Sequence, residues 1–510
     1  MNEQHRLHDL VRMSRRHFLK RAAVAGASLA MGGPLLAAAH RPGPFRSRPG
    51  TPVWIRGRVR RMDGQGIPGV ALSDGLSVVA TGSDGDFELY SSTRQQFVFL
   101  TIPSGFLVPQ SPTGTARFFA PIARDGKGKM HVSFNLLPDN DATDDHAFLV
   151  LADPQTQNAF EMNRFQAETV PDVKATVQSL DLPTAFGLSC GDIMFDHLDL
   201  YPDYERGVLA MERPFFQIIG NHDLDLVAMS DPASAATFHR YFGPTYYSFD
   251  RGEIHYIMLD DVFWYHGGYL GYLDADQLGW LTQDLARIEA GRTVVVFLHI
   301  PAFSTQFRRQ GKSAPPIQNS LTNREALYAL LEPYEAHLIS GHTHESEHIF
   351  EGGVHEHVCG AVCGAWWTGD ICFDGTPNGY GVFEAHGSEL RWRYKSTGRD
   401  LEDQLRLYSR GSDPTAPDEI VANVWDWDPS WTVIWYEDGI RKGEMARRTT
   451  TDPRSERLHR GPDKPARRPW VDPIRTGHLF FAPVSVNARE VRVEAIDAKG
   501  HTYTAAPESA

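Results

Sequence analysis

Phe215-Phe216-Gln217-Ile218-Ile219-Gly220-Asn221-His222-Asp223 decides how this chain is read. Five residues with the apolar texture of a buried strand run into a glycine. Three metal-type or proton-handling side chains follow at once. Working outward, the same grammar recurs four times. Ala147 to Ala152 leads into Asp153-Pro154-Gln155, and Thr184 to Cys190 leads into Gly191-Asp192-Ile193-Met194-Phe195-Asp196. Thr293 to Leu298 leads into His299-Ile300-Pro301, and Ala336 to Ser340 into Gly341-His342-Thr343-His344. A further strand is expected at Glu253 to Leu259, and helices at Phe160 to Thr169, Asp172 to Leu180, Gln277 to Ala290 and Asn323 to Leu331. Strands alternating with helices predict an α/β layer architecture, and ligands at the carboxyl ends of strands are where such sheets place their sites. A lone His or Gly-Asp is ordinarily structural. Five in series, each after an apolar strand, are not an accident of composition.

In this order the motifs resemble those of the calcineurin-like metallophosphoesterase superfamily, which run D-x-H, G-D-x-x, G-N-H-D/E, H and G-H-x-H. The resemblance covers about Asp145 to His386 and implies a four-layer α/β/β/α sandwich. It also implies two divalent or trivalent metal ions, for which the mixed carboxylate, imidazole and amide donors suit Mn, Fe, Zn or Co. Carried over by position, Asp153, Asp192 and His344 would hold the first ion, and Asp192, Asn221, His299 and His342 the second. A metal-bridging hydroxide would attack phosphorus in a phosphate mono- or diester. His222 would assist the leaving group, with Asp223 orienting it. Asp196 is either a supporting hydrogen-bond partner or an ordinary solvated loop residue. One position departs from the pattern: Gln155 stands where the family usually has His. Either its carbonyl oxygen is a ligand, as in an exported bacterial branch that carries Asp-Pro-Gln and extra terminal β domains, or the site is degraded. In the second case the protein is a non-catalytic phosphate- or glycan-binding scaffold.

The flanks differ in texture. Residues 1–39 read as a Tat-type signal peptide: Ser14-Arg15-Arg16-His17-Phe18-Leu19-Lys20 precedes an apolar run that ends at Ala37 and Ala39, with a membrane anchor as the alternative. Gly26, Gly32, Gly33 and Pro34 break that run, so the mature chain is expected to be periplasmic or secreted, with no transmembrane segment. Residues 40–50 read as a linker. Short β-type runs with Gly-Asp turns fill residues 51–140, which resemble a transthyretin-like β-sandwich. Residues 141–386 form the central domain. Residues 387–510 read as a β-rich domain with strands at Asn423 to Trp427, Trp431 to Tyr436, His478 to Val484 and Val491 to Asp497, and with Arg447 to Arg468 as a long loop.

Lys and Arg number 50 against 64 Asp and Glu; residues 1–39 hold six and two of these, leaving 44 against 62 and a net charge of −18. That excludes a nucleic-acid duplex as an expected partner and leaves a small-molecule or lipid-derived phosphate ester. Candidate substrate contacts are Trp366, Trp367 and Asp374, in the Gly-rich segment after the last motif, with core packing as the competing role for the tryptophans. His355 and His357, on an expected strand, read as structural, and His478 as a distant candidate for the site. Cys190, Cys359, Cys363 and Cys372 lack zinc-knuckle spacing and read as buried thiols or a single disulfide.

Overall fold

The structure is a computed structural model that describes residues 50–122, 128–462 and 464–508. The expected signal segment, residues 1–39, lies outside the described residues. Among those described, no helix is long and apolar enough to cross a membrane.

Two sheets packed face to face make the centre. One has the order Phe215–Ile218, Thr184–Cys190, His146–Leu151, Gly379–His386, Glu389–Ser396, its first three strands parallel. The other runs Tyr247–Arg251, Ile254–Met258, Thr293–Phe297, Glu335–Ser340, Val354–Val358, Glu347–Glu351. The strand His146–Leu151 is buried at every position because both of its faces are covered. Phe148 and Val150 face the opposite sheet, whereas Leu149 and Leu151 meet the helices outside. Aromatic rings fill the gap between sheets: Phe216 stacks on Phe249 at 4.3 Å, and Phe148 and Phe186 meet Tyr256 edge-on. With helices such as Val170–Ser179 and Ala275–Leu285 outside, the layers are α/β/β/α.

Three local differences from the sequence reading have simple causes. The two helices expected between 160 and 180 are one continuous run from Ala159, with a π turn at Phe165–Thr169. Pro171 has no N–H to donate, and the preceding turn widens so that the Val170 N–H reaches back to the Phe165 carbonyl. The central sheet also extends past His386 to take in Glu389–Ser396 as its edge. Finally, Arg447 to Arg468 is not a loop: it contains the strand Ala446–Thr451 and the helix Pro453–Arg460. Asp452 caps that helix by accepting the N–H groups of Arg454 and Ser455, and Pro453 occupies its first turn.

The N-terminal segment forms a three-stranded and a four-stranded sheet over a core that includes Ile55, Leu72, Leu89 and Leu100. The C-terminal segment pairs a five-stranded with a four-stranded sheet around Leu407, Ala422, Val433 and Val493.

Candidate metal centre

Each strand-end motif delivers its side chains to one place. Asp153 follows His146–Leu151, Asp192 follows Thr184–Cys190, and Asn221 opens the short turn after Phe215–Ile218. His299 and the His342/His344 pair follow the two strands of the other sheet. The backbone turns sharply to do this. Asp153, Gln155, Asp192, Asp196, His342 and His344 all have positive φ, between 42° and 68°, which makes half of the twelve described non-glycine residues in that region. Non-glycine residues occupy it at a cost, and such residues gather at functional sites. Close approach explains the motif glycines: a Cβ on Gly220 would lie 2.0 Å from the Asp192 backbone nitrogen, and one on Gly191 would lie 2.3 Å from the His299 ring.

Asp192 is the hub. Its Oδ1 lies 3.2 Å from His299 Nε2 and accepts the His222 backbone N–H at 2.8 Å, while its Oδ2 accepts from Gln155 Nε2 at 3.0 Å. His299 Nε2 is also 3.1 Å from Asn221 Oδ1 and 3.2 Å from His342 Nδ1. His299 Nδ1 is anchored 3.0 Å from the Cys190 carbonyl, which turns Nε2 into the site. Burial opposes the charge on Asp192, but the imidazoles of His299, His222 and His342 outweigh it and hold the carboxyl well below its usual range. On the other side, His344 Nε2 lies 3.5 Å from Asp153 Oδ1, and its Nδ1 is held 2.7 Å from the Gly364 carbonyl.

This donor set fits metal ions. Asp192, His299 and His342 bring one ligand atom each to within 4.8 Å of one another. Asp153 Oδ1 is buried without a hydrogen-bond partner, and a buried carboxylate oxygen in that state calls for a cation. All seven expected ligand residues are therefore gathered. Gln155 meets Asp192 through its amide nitrogen, with its Oε1 3.7 Å from the Cys363 thiol.

The partner of His222 differs from expectation. Asp223 does not touch its ring; it is fully buried and accepts the backbone N–H groups of Ile193, Met194 and Gly220 together with the Tyr201 hydroxyl. Burial pushes its carboxyl up to about 7. It braces the two motif loops against each other. The His222 ring instead pairs through Nδ1 with Asp196 Oδ1 at 2.7 Å, and Phe195 meets the ring edge-on at 4.2 Å. The family resemblance pointed to the adjacent Asp223; the four-residue loop after Asp192 instead brings Asp196 to His222.

The substrate candidates separate. Trp367 and Asp374 are buried. The Trp367 indole N–H donates to the Pro154 carbonyl, and Asp374 binds the Ser346 N–H, Thr376 and His478 Nε2. His478 thus supports the Asp374 loop. Trp366 is half-buried and stacks on the His344 ring at 4.4 Å. Beside it, at 4.6 Å, stands Trp470, 57% exposed, and Arg468 lies over Phe195 at 4.6 Å. Both Arg467 and Arg468 pair with the buried Glu161 of the central domain. Sequence reasoning missed Trp470, Arg468 and Phe195; the one available signal was a basic and aromatic Arg467-Arg468-Pro469-Trp470 run at the end of the segment expected as a loop. Cys190, Cys359, Cys363 and Cys372 are buried free thiols.

A two-sheet sandwich whose strand ends gather carboxylate, amide and imidazole donors defines the metallophosphoesterase class of fold and site. Family comparison is specific: calcineurin-like phosphoesterase matches residues 146–346, the N terminal of calcineurin-like phosphoesterase residues 53–139, and its C terminal counterpart residues 356–503. Together these span more than four-fifths of the chain, which belongs to the calcineurin-like phosphoesterases. Among curated relatives, serine/threonine-protein phosphatase CPPED1 of Bos taurus is 36% identical over 137 residues, 25% of this chain and 43% of that protein. Purple acid phosphatase 15 of Arabidopsis thaliana is 29% identical over 153 residues, 27% of this chain and 26% of that protein. The alignments thus span less than half of either relative. Among solved structures, a dimetal phosphatase from Danio rerio is 15% identical with a TM-score of 0.34, covering 50% of this chain and 96% of that one. Purple acid phosphatase from yellow lupin is 12% identical with a TM-score of 0.37, covering 64% and 67%.

Proposed function

We propose that this chain is an exported phosphoesterase that works with two metal ions and hydrolyses phosphate mono- or diesters. The observation that carries the reading is the convergence of Asp153, Gln155, Asp192, Asn221, His299, His342 and His344 around Asp192, with a paired His222–Asp196 beside them. Metal ions bound there would supply an activated water and neutralise charge on the phosphoryl oxygens. The chain's own residues do the rest. Asp196 fixes the His222 ring through Nδ1 and leaves Nε2 to hand a proton to the departing oxygen. Gly191 and Gly220 let the motif backbones close on the site. Trp366, Trp470 and Arg468 line its margin with two indoles and a cation, a wall suited to the non-phosphoryl part of a small or lipid-derived ester. Export to the periplasm or beyond rests on the twin-arginine segment Ser14 to Lys20.

The test is a release assay of the mature protein, loaded with Mn, Fe, Zn or Co, on p-nitrophenyl phosphate, bis-p-nitrophenyl phosphate and a panel of nucleotide, sugar, lipid-headgroup and phosphopeptide esters. Metal-dependent turnover of at least one is expected. Metal-replete protein that hydrolyses none of them while retaining inorganic phosphate or a glycan would instead establish the binding-scaffold reading.

A further inference from the structure

Four imidazoles share one face of the six-stranded sheet, away from the strand-end motifs. His355 and His357 alternate along Val354–Val358 and so point the same way. His337 pairs in register with His355 from one side, and His348 with His357 from the other. The rings of His355 and His357 are 4.0 Å apart, and Trp392 packs against both. The nitrogens meet in two pairs: His337 Nδ1 is 3.0 Å from His357 Nε2, and His348 Nδ1 is 3.0 Å from His355 Nε2.

Three features set this cluster apart from imidazoles that merely fill a core. One nitrogen each of His337, His355 and His357 lies within 4.8 Å of the others. Two imidazole nitrogens bound tetrahedrally to one ion at about 2.0–2.1 Å stand about 3.3–3.4 Å apart, a few tenths of an ångström wider than the 3.0 Å pairs here, so a small parting of the rings would admit an ion. Second, His348, which stands outside that three-nitrogen group but pairs with His355, is held at Nε2 by Asp426 Oδ1 at 2.8 Å, the kind of carboxylate support that fixes a ligating imidazole. Third, His357 is 2% exposed, and beyond the contact of its Nε2 with His337 its Nδ1 is buried with no hydrogen-bond partner, so the ring is only half satisfied within the protein. Packed this closely, the rings cannot all be charged, and neutral imidazoles have lone pairs to offer. His337 and His355 are half-buried, and the exposed Phe350 stacks on the His355 ring at 4.1 Å.

We propose that His337, His355 and His357, joined by His348, bind one further divalent transition metal ion of the imidazole-preferring kind, zinc foremost. The ion would clamp three neighbouring strands and, through Asp426, tie the C-terminal segment to the central sheet. Nothing in this depends on the phosphoesterase reading.

The full mature chain is loaded with zinc, freed of excess by dialysis and assayed for zinc per chain by mass spectrometry. His337→Gln and His357→Gln are each expected to hold one zinc fewer than the wild type. Zinc content equal to wild type in a folded variant overturns the proposal. Should either variant not fold, cobalt titration of a His299→Ala/His342→Ala protein decides: a tetrahedral cobalt spectrum from a nitrogen-only ligand set supports the cluster, and no such band refutes it.

Discussion

At the scale of the residue, Asp192 and His222 carry the argument. Asp192 touches His299, Gln155 and the His222 backbone at once, so its removal unravels the whole donor set. His222 shares the site through its backbone, while its ring looks outward to Asp196 and Phe195. His222→Ala is therefore expected to retain its metal content while kcat falls by about 10²–10⁴, the span of general acid catalysis. Loss of metal from that variant, measured by mass spectrometry, would mean that His222 is itself a ligand. Asp196→Asn should lower kcat by about tenfold or more with metal content unchanged, because the amide still holds the ring but no longer as a carboxylate. An Asp196→Asn enzyme with wild-type kcat would leave the ion pair without a catalytic part.

Among the elements, the tight loops behind the strands matter most. The turn that begins at Gly220 approaches Asp192 so closely that a methyl group at 220 would sit 2.0 Å from backbone, where no flexible side chain can give way. Gly220→Ala is expected to cost about 1–3 kcal/mol or more by overpacking and to lower metal affinity with it. Denaturant unfolding alongside a metal titration checks both, and a variant as stable and as metal-competent as wild type would refute the account. The Arg467 to Trp470 segment is a second such element: Glu161 anchors it, and it leaves Trp470 57% exposed beside Trp366. Trp470→Ala should raise KM several-fold for the preferred ester with kcat little changed, the pattern of lost substrate binding. An unchanged KM would remove Trp470 from the substrate wall.

For the molecule as a whole, stability should depend on pH through a buried triad far from the motifs. His255 lies between Asp250 and Asp284, 2.9 Å from each, and joins two strands to the helix Ala275–Leu285. Burial opposes its charge, but Asp284 and Asp250 prevail and push it up to about 9. A pKa raised on folding gives stability that is complete below the unfolded value of about 6.5 and is lost as pH rises through about 9, on the order of 3 kcal/mol in all. Wild type is thus expected to lose stability between those limits in denaturant titrations at constant salt. A His255→Gln protein should be less stable at pH 6 and flatter across the window. Parallel curves for the two proteins would show that the triad is not the source.

The sandwich and its ligand ladder were legible in the chain because both rest on local order. An apolar strand buried on both faces announces itself by composition, and a ligand placed just past its end needs only the chain's direction to be located. Seven candidate ligand positions could be named that way, Gln155 among them as the one departure from the family pattern. What tertiary structure alone decided were pairings between residues distant along the chain or turned by loop geometry. Asp196 rather than Asp223 serves His222, because an αL turn aims one carboxylate at the ring while backbone donors claim the other. Trp470 reaches the margin of the site from more than a hundred residues past the last motif. His337, His348, His355 and His357 become one cluster only when three strands are set in register. Periodicity shows which face a side chain shares with its own strand neighbours; which strands lie alongside is fixed by packing, and no single stretch of sequence contains it.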